Sequence, residues 1–135
     1  MNDRLPPQDI EAEKAVIGAI LLDNNAINTV VETLNEYDFY REAHKLIFKS
    51  MLALHNSHEA IDLITVVNVL RKENKLDDVG GIAYITSLNN IATAANVKYH
   101  AEIVKEKSLR RKLISTSTNI IENAYDESTE ITQEL

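Results

Sequence analysis

The chain of 135 residues lacks cysteine and is poor in glycine and proline, with three glycines and two prolines. Without cysteine, neither a disulfide framework nor a thiolate metal site can form. A nucleotide-binding P-loop needs several glycines before a lysine and a serine or threonine, so that backbone amides can hold phosphate. Gly18, Gly80 and Gly81 do not supply that pattern. We therefore expect no nucleotide hydrolysis and no bound cofactor in this chain.

Other signatures of enzymes and membrane proteins are also missing. The sequence has neither a Gly-x-Ser-x-Gly elbow nor a His-Glu-x-x-His metal motif, so we expect no catalytic residue. No apolar run approaches the ~18 residues that a membrane span needs. The N-terminus, with Asp3 and Arg4, does not have the pattern of a signal peptide. The length and these absences predict one cytoplasmic domain.

The net charge is −7, so the chain as a whole does not attract nucleic acid. The charge is uneven, because residues 98–112 hold six basic and two acidic side chains. This stretch is either a solvated helix face, which is the usual outcome, or a contact surface for an acidic partner or a threading strand. Residues 105–112 contain no aromatic side chain for base stacking, which makes direct DNA binding the weaker alternative.

The scarcity of glycine, proline and strand-like alternation predicts an all-α domain. Apolar residues recur at helical spacing in six segments, at residues 10–22, 26–34, 39–55, 63–72, 82–89 and 94–125. Asp38, Asp62 and Thr93 are placed to cap the third, fourth and sixth helices. The third helix has a wide apolar face, and we expect it to lie at the centre of the domain.

Two segments need a separate argument. Residues 64–67 are mostly β-branched, which by propensity alone favours a strand. A helix is favoured instead by the lack of strand partners and by the helical spacing of Leu63, Val66, Val67 and Leu70. Gly80 and Gly81 predict a turn before the fifth helix, because glycine reaches backbone angles closed to other residues.

The sixth helix is predicted to be about 45 Å long at 1.5 Å per residue, too long to pack wholly on a small head. For docking, its first half carries Val97, Ala101 and Val104. Its second half carries two apolar pairs at the seven-residue spacing of a helix–helix seam, which are Leu113 with Ile114 and Ile120 with Ile121. Residues 115–119 between these pairs are poor helix formers, so the helix bends there or a partner holds it.

The predicted elements divide the chain into four parts. Residues 1–8 are an N-terminal extension, residues 9–96 a compact head of five to six helices, and residues 97–126 the long projecting helix. Residues 127–135 resemble a turn and the start of a truncated second arm. From that abrupt end we expect a designed or proteolytic cut.

Some polar residues could form a metal site or an acid–base pair, but structural roles explain them better. A metal site is conceivable in the polar loop with His55, His58, Glu59 and Asp62, although no third ligand lies at motif-like spacing. Acid–base pairs are conceivable at Glu11 with Glu13 and at Asp77 with Asp78. Helix-dipole complementation and solvated turns explain those carboxylates more simply. We expect His44 to pack partly against its helix neighbours.

The predicted functional surface is an interface on the projecting helix. Its distal apolar pairs could be core only if something covered them, and an exposed apolar stripe indicates assembly. Tyr84 follows the glycine turn, and tyrosine is favoured at the centres of interfaces. The residues predicted to face partners are Tyr84, Arg110, Arg111, Leu113, Ile114, Ile120, Ile121 and Tyr125.

Short motifs spread over residues 4–125 together carry a family resemblance. Among them, in chain order, are Leu5-Pro6-Pro7-Gln8, Glu11-Ala12-Glu13, Val16-Ile17-Gly18, Leu21-Leu22-Asp23, Phe39-Tyr40-Arg41, Ile61-Asp62-Leu63-Ile64-Thr65-Val66, Gly80-Gly81, Thr93-Ala94-Ala95-Asn96 and Glu106-Lys107-Ser108. In this order and spacing, the chain resembles the N-terminal domain of the DnaB-type replicative DNA helicases of bacteria. It departs from many relatives at Ala92, where they have proline, and at His100, where they have a second tyrosine.

The resemblance implies a non-catalytic domain made of a helical head and the first arm of a helical hairpin. In that family a RecA-like motor domain, which uses ATP and Mg²⁺, follows after a linker, and six chains form a ring. The N-terminal domains form a collar, described as a trimer of dimers, which receives the C-terminal domain of the DnaG-type primase. Whether a helicase loader also docks on the collar is left open.

Two other functions are kept as alternatives. The first is a free-standing helical adaptor or a phage-type regulator of the replication machinery. A glycine-rich nucleotide-binding loop encoded after Leu135 would favour the helicase, and a stop codon would favour the adaptor. The second is a small DNA-binding protein that uses the basic helix, which predicts steeply salt-dependent affinity and is disfavoured by the net charge of −7.

Overall fold

A computed structural model describes residues 4–90, 94–128 and 130–133. In these ranges the α-helices are α1 (Ile10–Leu22), α2 (Ala26–Val30), α3 (Glu42–Asn56), α4 (Leu63–Lys72), α5 (Gly81–Asn89) and α6 (Val97–Tyr125). The 3₁₀ turns lie at Glu36–Asp38, Asp77–Val79, Ala94–Asn96 and Ile131–Gln133. The described residues form no strand, and the all-α prediction is confirmed. Among the described residues, no helix combines the length and the hydropathy that a membrane span requires.

Helix α1 begins and ends at the predicted residues because its cap and its apolar pattern are both local. The Asp9 carboxylate accepts a hydrogen bond from the Ala12 amide at 3.0 Å, which satisfies one of the unpaired N–H groups of the first turn. Val16, Ile17 and Ile20 are fully buried, and the helix packs against α3, α5 and α6. Small buried residues on its other faces let these neighbours approach. Helix α1 therefore occupies the central place that the sequence predicts for α3.

The junction between α2 and α3 differs from the prediction. Helix α2 ends at Val30, and Asn35 and Asp38 then form a capping box around the following 3₁₀ turn. Helix α3 starts at Glu42, and Arg41 before it provides no side-chain cap. The prediction that Asp38 caps α3 is therefore wrong, because its carboxylate caps the preceding turn and binds α6.

The predicted cap of helix α4 is confirmed. The Thr65 amide donates to Asp62 Oδ1 at 2.9 Å, and the Asp62 amide donates to Thr65 Oγ1 at 2.9 Å. This reciprocal cap and the burial of Leu70 hold the β-branched run in a helix. Where α5 begins, Gly80 and Gly81 have φ of 99° and 74°, so the predicted glycine turn is also present.

Helix α6 has two halves with different surroundings. Buried against the head, as predicted, are Val97, Ala101 and Val104. The helix continues without interruption to Tyr125, and its 29 residues span ~43 Å at 1.5 Å per residue. Residues 115–119 are helical and exposed despite their low helix propensity. The long projecting helix is confirmed, whereas its predicted cap, Thr93, lies outside the described residues.

Candidate partner-binding surface

The predicted apolar surface is exposed along the distal half of α6. We call Leu113, Ile114, Ile120 and Ile121 the apolar stripe. Their side chains are 68%, 53%, 48% and 56% exposed, and Tyr125 at the helix end is also exposed. Ile114 lines a groove with Leu5, Pro6 and Pro7 of the N-terminal segment, and all four stripe side chains stay about half exposed or more. A cluster of exposed apolar side chains of this kind indicates a protein-contact surface.

The proximal half of α6 is fixed to the head by the buried carboxylate of Asp38. The Ser108 hydroxyl donates to Asp38 Oδ1 at 2.7 Å, and Lys105 Nζ lies 3.3 Å from the same oxygen. The Asn35 amide donates to Asp38 Oδ2 at 2.8 Å. A buried carboxylate is tolerated when donors and a cation satisfy it. Lys105 is therefore part of an internal ion pair that anchors the helix.

Arg111 forms a second attachment between α6 and the head. Its Nη1 donates to the Pro7 carbonyl oxygen at 2.8 Å, and its Nη2 donates to the Asp38 carbonyl oxygen at 2.7 Å. The guanidinium also lies 5.4 Å from the centroid of the Tyr40 ring, within cation–π range. The predicted partner-facing role of Arg111 stays a prediction, and its hydrogen bonds in this structure lie within the chain.

Arg110 lies on the exposed face of the same helix. Its Nε donates a hydrogen bond to Glu106 Oε1, one turn earlier. This hydrogen bond lowers the pKa of Glu106 below its ordinary value and raises the pKa of Arg110. A partner that binds Arg110 would have to replace its hydrogen bond to Glu106.

Tyr84 is half-buried at the start of α5, and its hydroxyl faces other residues of the chain. The hydroxyl oxygen is 2.7 Å from His44 Nε2 and accepts from Arg41 Nη1 at 3.4 Å. The Tyr84 and His44 rings stack with centroids 5.9 Å apart and planes 13° apart. The ring is partly exposed, so a partner could reach it, and the partner-facing role of Tyr84 stays a prediction.

Glu13 and His44 form a buried pair that the sequence reasoning missed. Glu13 Oε1 is 2.7 Å from His44 Nδ1, and the two residues are 1% and 0% exposed. Glu13 Oε2 also accepts a hydrogen bond from the Tyr40 amide at 2.7 Å. Glu13 lies in the first turn of α1, as the predicted dipole role requires, and it also satisfies an amide ahead of α3. His44 is more deeply buried than expected.

A local signal for the burial of Glu13 was present in the sequence. Glu13 precedes Val16 and Ile17 by three and four residues and Ile20 by seven. That spacing puts the carboxylate on the apolar face of the helix. A carboxylate on such a face needs a buried partner, and His44 is that partner.

A groove of about 360 Å³ lies between the Glu36–Asp38 turn and the base of α6. It is lined by Asn35, Tyr37, Asp38, Lys105, Ser108, Leu109, Arg111 and Lys112. Three cationic side chains thus face one carboxylate, which is already hydrogen-bonded. Tyr37 and Leu109 provide exposed apolar edges. We call this feature the basic groove, and it suits an anionic segment with some apolar character.

The polar loop with His55, His58, Glu59 and Asp62 was considered for a metal site. The described residues contain no group of three or more His, Asp or Glu side chains able to hold a metal ion. The Asp62 carboxylate is occupied by the cap of α4. His58 is exposed in the loop after α3.

Comparison with known proteins gives a consistent result. The family of the DnaB-like helicase N-terminal domain matches residues 5–106. The replicative DNA helicase DnaC of Bacillus subtilis (strain 168) is 47% identical over 132 residues, which is 97% of this chain and 29% of that protein. This chain therefore spans less than a third of that relative's length.

Solved structures agree with the sequence comparison. The N-terminal domain of DnaB helicase from Mycobacterium tuberculosis gives a TM-score of 0.89 at 38% identity, covering 92% of this chain and 89% of that chain. A DnaB-like replicative helicase, described together with its interactions with primase, gives a TM-score of 0.78 at 30% identity, covering 93% of this chain and 29% of that chain. With a family match over most of its length and the same fold in these relatives, the chain belongs to the DnaB-like helicase N-terminal domain family.

Proposed function

We propose that this domain is the collar domain of a bacterial replicative DNA helicase, acting in ring assembly and primase recruitment in the cytoplasm. The observation that carries the proposal is an apolar stripe exposed on a helix whose base is locked to the head. Asp38 and Arg111 fix the direction in which the helix projects. A fixed direction allows identical subunits to meet through the same patch in a closed assembly.

The chemistry of unwinding is proposed to lie outside this domain. The chain covers 29% of the length of the B. subtilis helicase. In the longer protein, ATP and Mg²⁺ would bind in the motor domain that the resemblance implies. The collar domain would contribute no catalytic residue and would couple unwinding to primer synthesis by holding primase beside the ring.

The proposed partners are further copies of the domain and the C-terminal domain of a DnaG-type primase, with a helicase loader as a third candidate. The stripe, with Tyr125, supplies the apolar part of the contact, and Tyr84 and Arg110 supply polar contacts. Direct DNA binding is expected to be weak, because Lys105 and Arg111 are engaged within the chain.

Alanine at both Ile114 and Ile121 tests this proposal. Truncating two isoleucines in an interface costs about 2 kcal/mol or more, so we expect a loss of at least about tenfold in self-association, in primase binding, or in both. Sedimentation measures the first, and titration calorimetry against the C-terminal domain of a DnaG-type primase measures the second.

The matched control is Ile64→Ala, which removes an isoleucine that is 70% exposed on α4. This variant should bind and sediment like the parent chain. If the Ile114→Ala, Ile121→Ala double variant leaves both properties unchanged, the stripe is not the partner surface.

A further inference from the structure

The basic groove is a positively charged site in an acidic chain. Its charged side chains, which are Lys105, Arg111, Lys112 and Asp38, carry a net charge of +2. The whole chain carries −7, so everything outside the groove carries −9. A volume of about 360 Å³ lies at the lower end of the range for ligand sites, so the groove takes a few side chains. Its charge and size therefore favour a short anionic segment.

Asp38 does not use up the cations of the groove. Its carboxylate contacts Lys105 Nζ at 3.3 Å and 3.4 Å, and it also accepts from the Ser108 hydroxyl and the Asn35 amide. An ammonium group has three donors, so Lys105, whose side chain is 35% exposed, keeps at least one donor for a ligand. Lys112 is exposed and makes no hydrogen bond or ion pair with the other described residues. Two ammonium groups are therefore open to carboxylates.

Tyr37 and Leu109 give the same groove apolar edges. Their side chains are 75% and 53% exposed, and both line the groove. Tyrosine is favoured where contacts contribute most to binding. A segment that carries an apolar side chain next to its carboxylates therefore fits better than a purely acidic one. A nucleic-acid strand is disfavoured, because its phosphates would continue past the groove along a chain that is otherwise acidic.

The basic groove and the apolar stripe lie on different faces of α6. At about 100° per residue, Lys112 is about 160° around the helix from Ile114 and about 180° from Ile121. Arg111 borders the groove while its guanidinium stays hydrogen-bonded to the head. A ligand in the groove therefore leaves both isoleucines of the stripe open to other partners and does not require α6 to move.

We propose that the basic groove docks a short acidic segment of a partner protein. Lys105 and Lys112 bind the carboxylates of this segment, and Tyr37 and Leu109 contact its apolar side chains. The site is separate from the stripe and goes beyond the proposed function, because its ligand is an acidic peptide that binds whether or not the stripe is occupied.

Fluorescence anisotropy with a labelled hexapeptide of alternating aspartate and leucine tests the proposal. At low ionic strength the peptide should bind the chain saturably. Its asparagine–leucine counterpart should bind at least about fivefold more weakly, because it offers no carboxylate to the two lysines. An aspartate–serine counterpart should bind about threefold more weakly, because it loses the apolar contacts. Equal binding of the aspartate–leucine and asparagine–leucine peptides, or no saturable binding of the first, overturns the proposal.

Two substitutions assign the peptide to the groove. Lys112→Glu should weaken binding of the aspartate–leucine peptide by at least about fivefold, because attraction becomes repulsion, and Tyr37→Ala should weaken it by about threefold or more. The matched control is Lys49→Glu, which makes the same charge change on exposed α3 surface and should have no effect. If Lys49→Glu and Lys112→Glu weaken binding equally, only net charge matters and the groove is not the site.

Three further measurements separate other occupants and the proposed function. A labelled thymidine hexanucleotide that binds more tightly than the peptide would make nucleic acid the ligand, and loss of self-association in Lys112→Glu by sedimentation would make a second copy the occupant. Either result overturns the proposal. The Ile114→Ala, Ile121→Ala double variant should bind the peptide like the parent chain, even if it loses its partners on the stripe. Loss of peptide binding in that variant would place the peptide on the stripe and contradict the groove site.

Discussion

Glu13 connects α1 to α3 inside the head. Its carboxylate contacts the His44 ring at 2.7 Å and accepts the Tyr40 amide at 2.7 Å. Glu13→Ala should lower the free energy of unfolding by about 3 kcal/mol, because it leaves a buried imidazole and a backbone amide without their partner. Urea unfolding followed by circular dichroism measures this loss.

The matched control for this prediction is Glu11→Ala, which removes an exposed carboxylate from the same helix turn. Its effect should stay within about 0.5 kcal/mol. Equal effects of the two substitutions would show that the buried contacts of Glu13 contribute nothing to stability.

Glu106 provides a second prediction at the scale of one residue. The hydrogen bond from Arg110 lowers the pKa of Glu106, so the pair should stabilise the helix above the ordinary carboxyl pKa. That contribution should be lost as the pH falls through the lowered pKa. An NMR titration of the Glu106 side chain should show a pKa that returns toward its ordinary value in Arg110→Gln. A control substitution, Lys112→Gln, should leave the pKa of Glu106 unchanged, and an unchanged value in Arg110→Gln would contradict the assignment.

The contacts that the sequence reasoning missed share one physical property. Glu13, His44 and Asp38 are polar groups whose partners lie on other helices, 31 residues away for the Glu13–His44 pair and 70 residues away for the Asp38–Ser108 pair. Spacing along one helix shows that a side chain faces the core, but it does not identify the group that it meets there.

At the scale of one element, the turn before α5 gives a prediction with an internal control. A Cβ at Gly80 would lie 2.9 Å from Tyr84 Cβ, whereas a Cβ at Gly81 would meet nothing within 4 Å. Both glycines have positive φ, so alanine at either position should cost about 1 kcal/mol of backbone strain. Gly80→Ala should cost a further ~1 kcal/mol or more, because α5 must shift to relieve the contact. Urea unfolding of the two variants measures the difference, and equal losses would contradict the role of the close approach.

The start of a helix was predictable where the capping group lies in the same turn, and not where it lies on another helix. Helices α1 and α4 begin as predicted because Asp9 and Asp62 bind amides within their own first turns. Helix α3 begins later than predicted because Glu13, on another helix, takes the amide of Tyr40. The projecting helix and its stripe were predictable because they depend on periodicity and length, whereas the anchoring of its base by Asp38 depends on a distant turn.

At the scale of the whole molecule, stability and function are separated along α6. The proximal half shares the core of the head through Val97, Ala101 and Val104. The distal half carries the stripe and has no buried side chain, although Ile114 and Thr118 line a groove with Pro6 and Pro7. An isolated helical segment of that length is only marginally stable in water. Assembly would therefore supply the packing that the distal half lacks.

Hydrogen exchange can test this separation. In dilute chain, the amides of residues 98–104 should be protected together with those of α1, whereas the amides of residues 115–125 should exchange much faster, because the helix can open there without disturbing the core. As the chain concentration rises through the range in which sedimentation shows association, the distal amides should slow by at least about tenfold while the amides of α1 stay constant. Strong distal protection in a chain that is still monomeric would show that the arm is stable without a partner. In that case the exposed stripe would be a permanent docking surface and not a segment ordered by assembly.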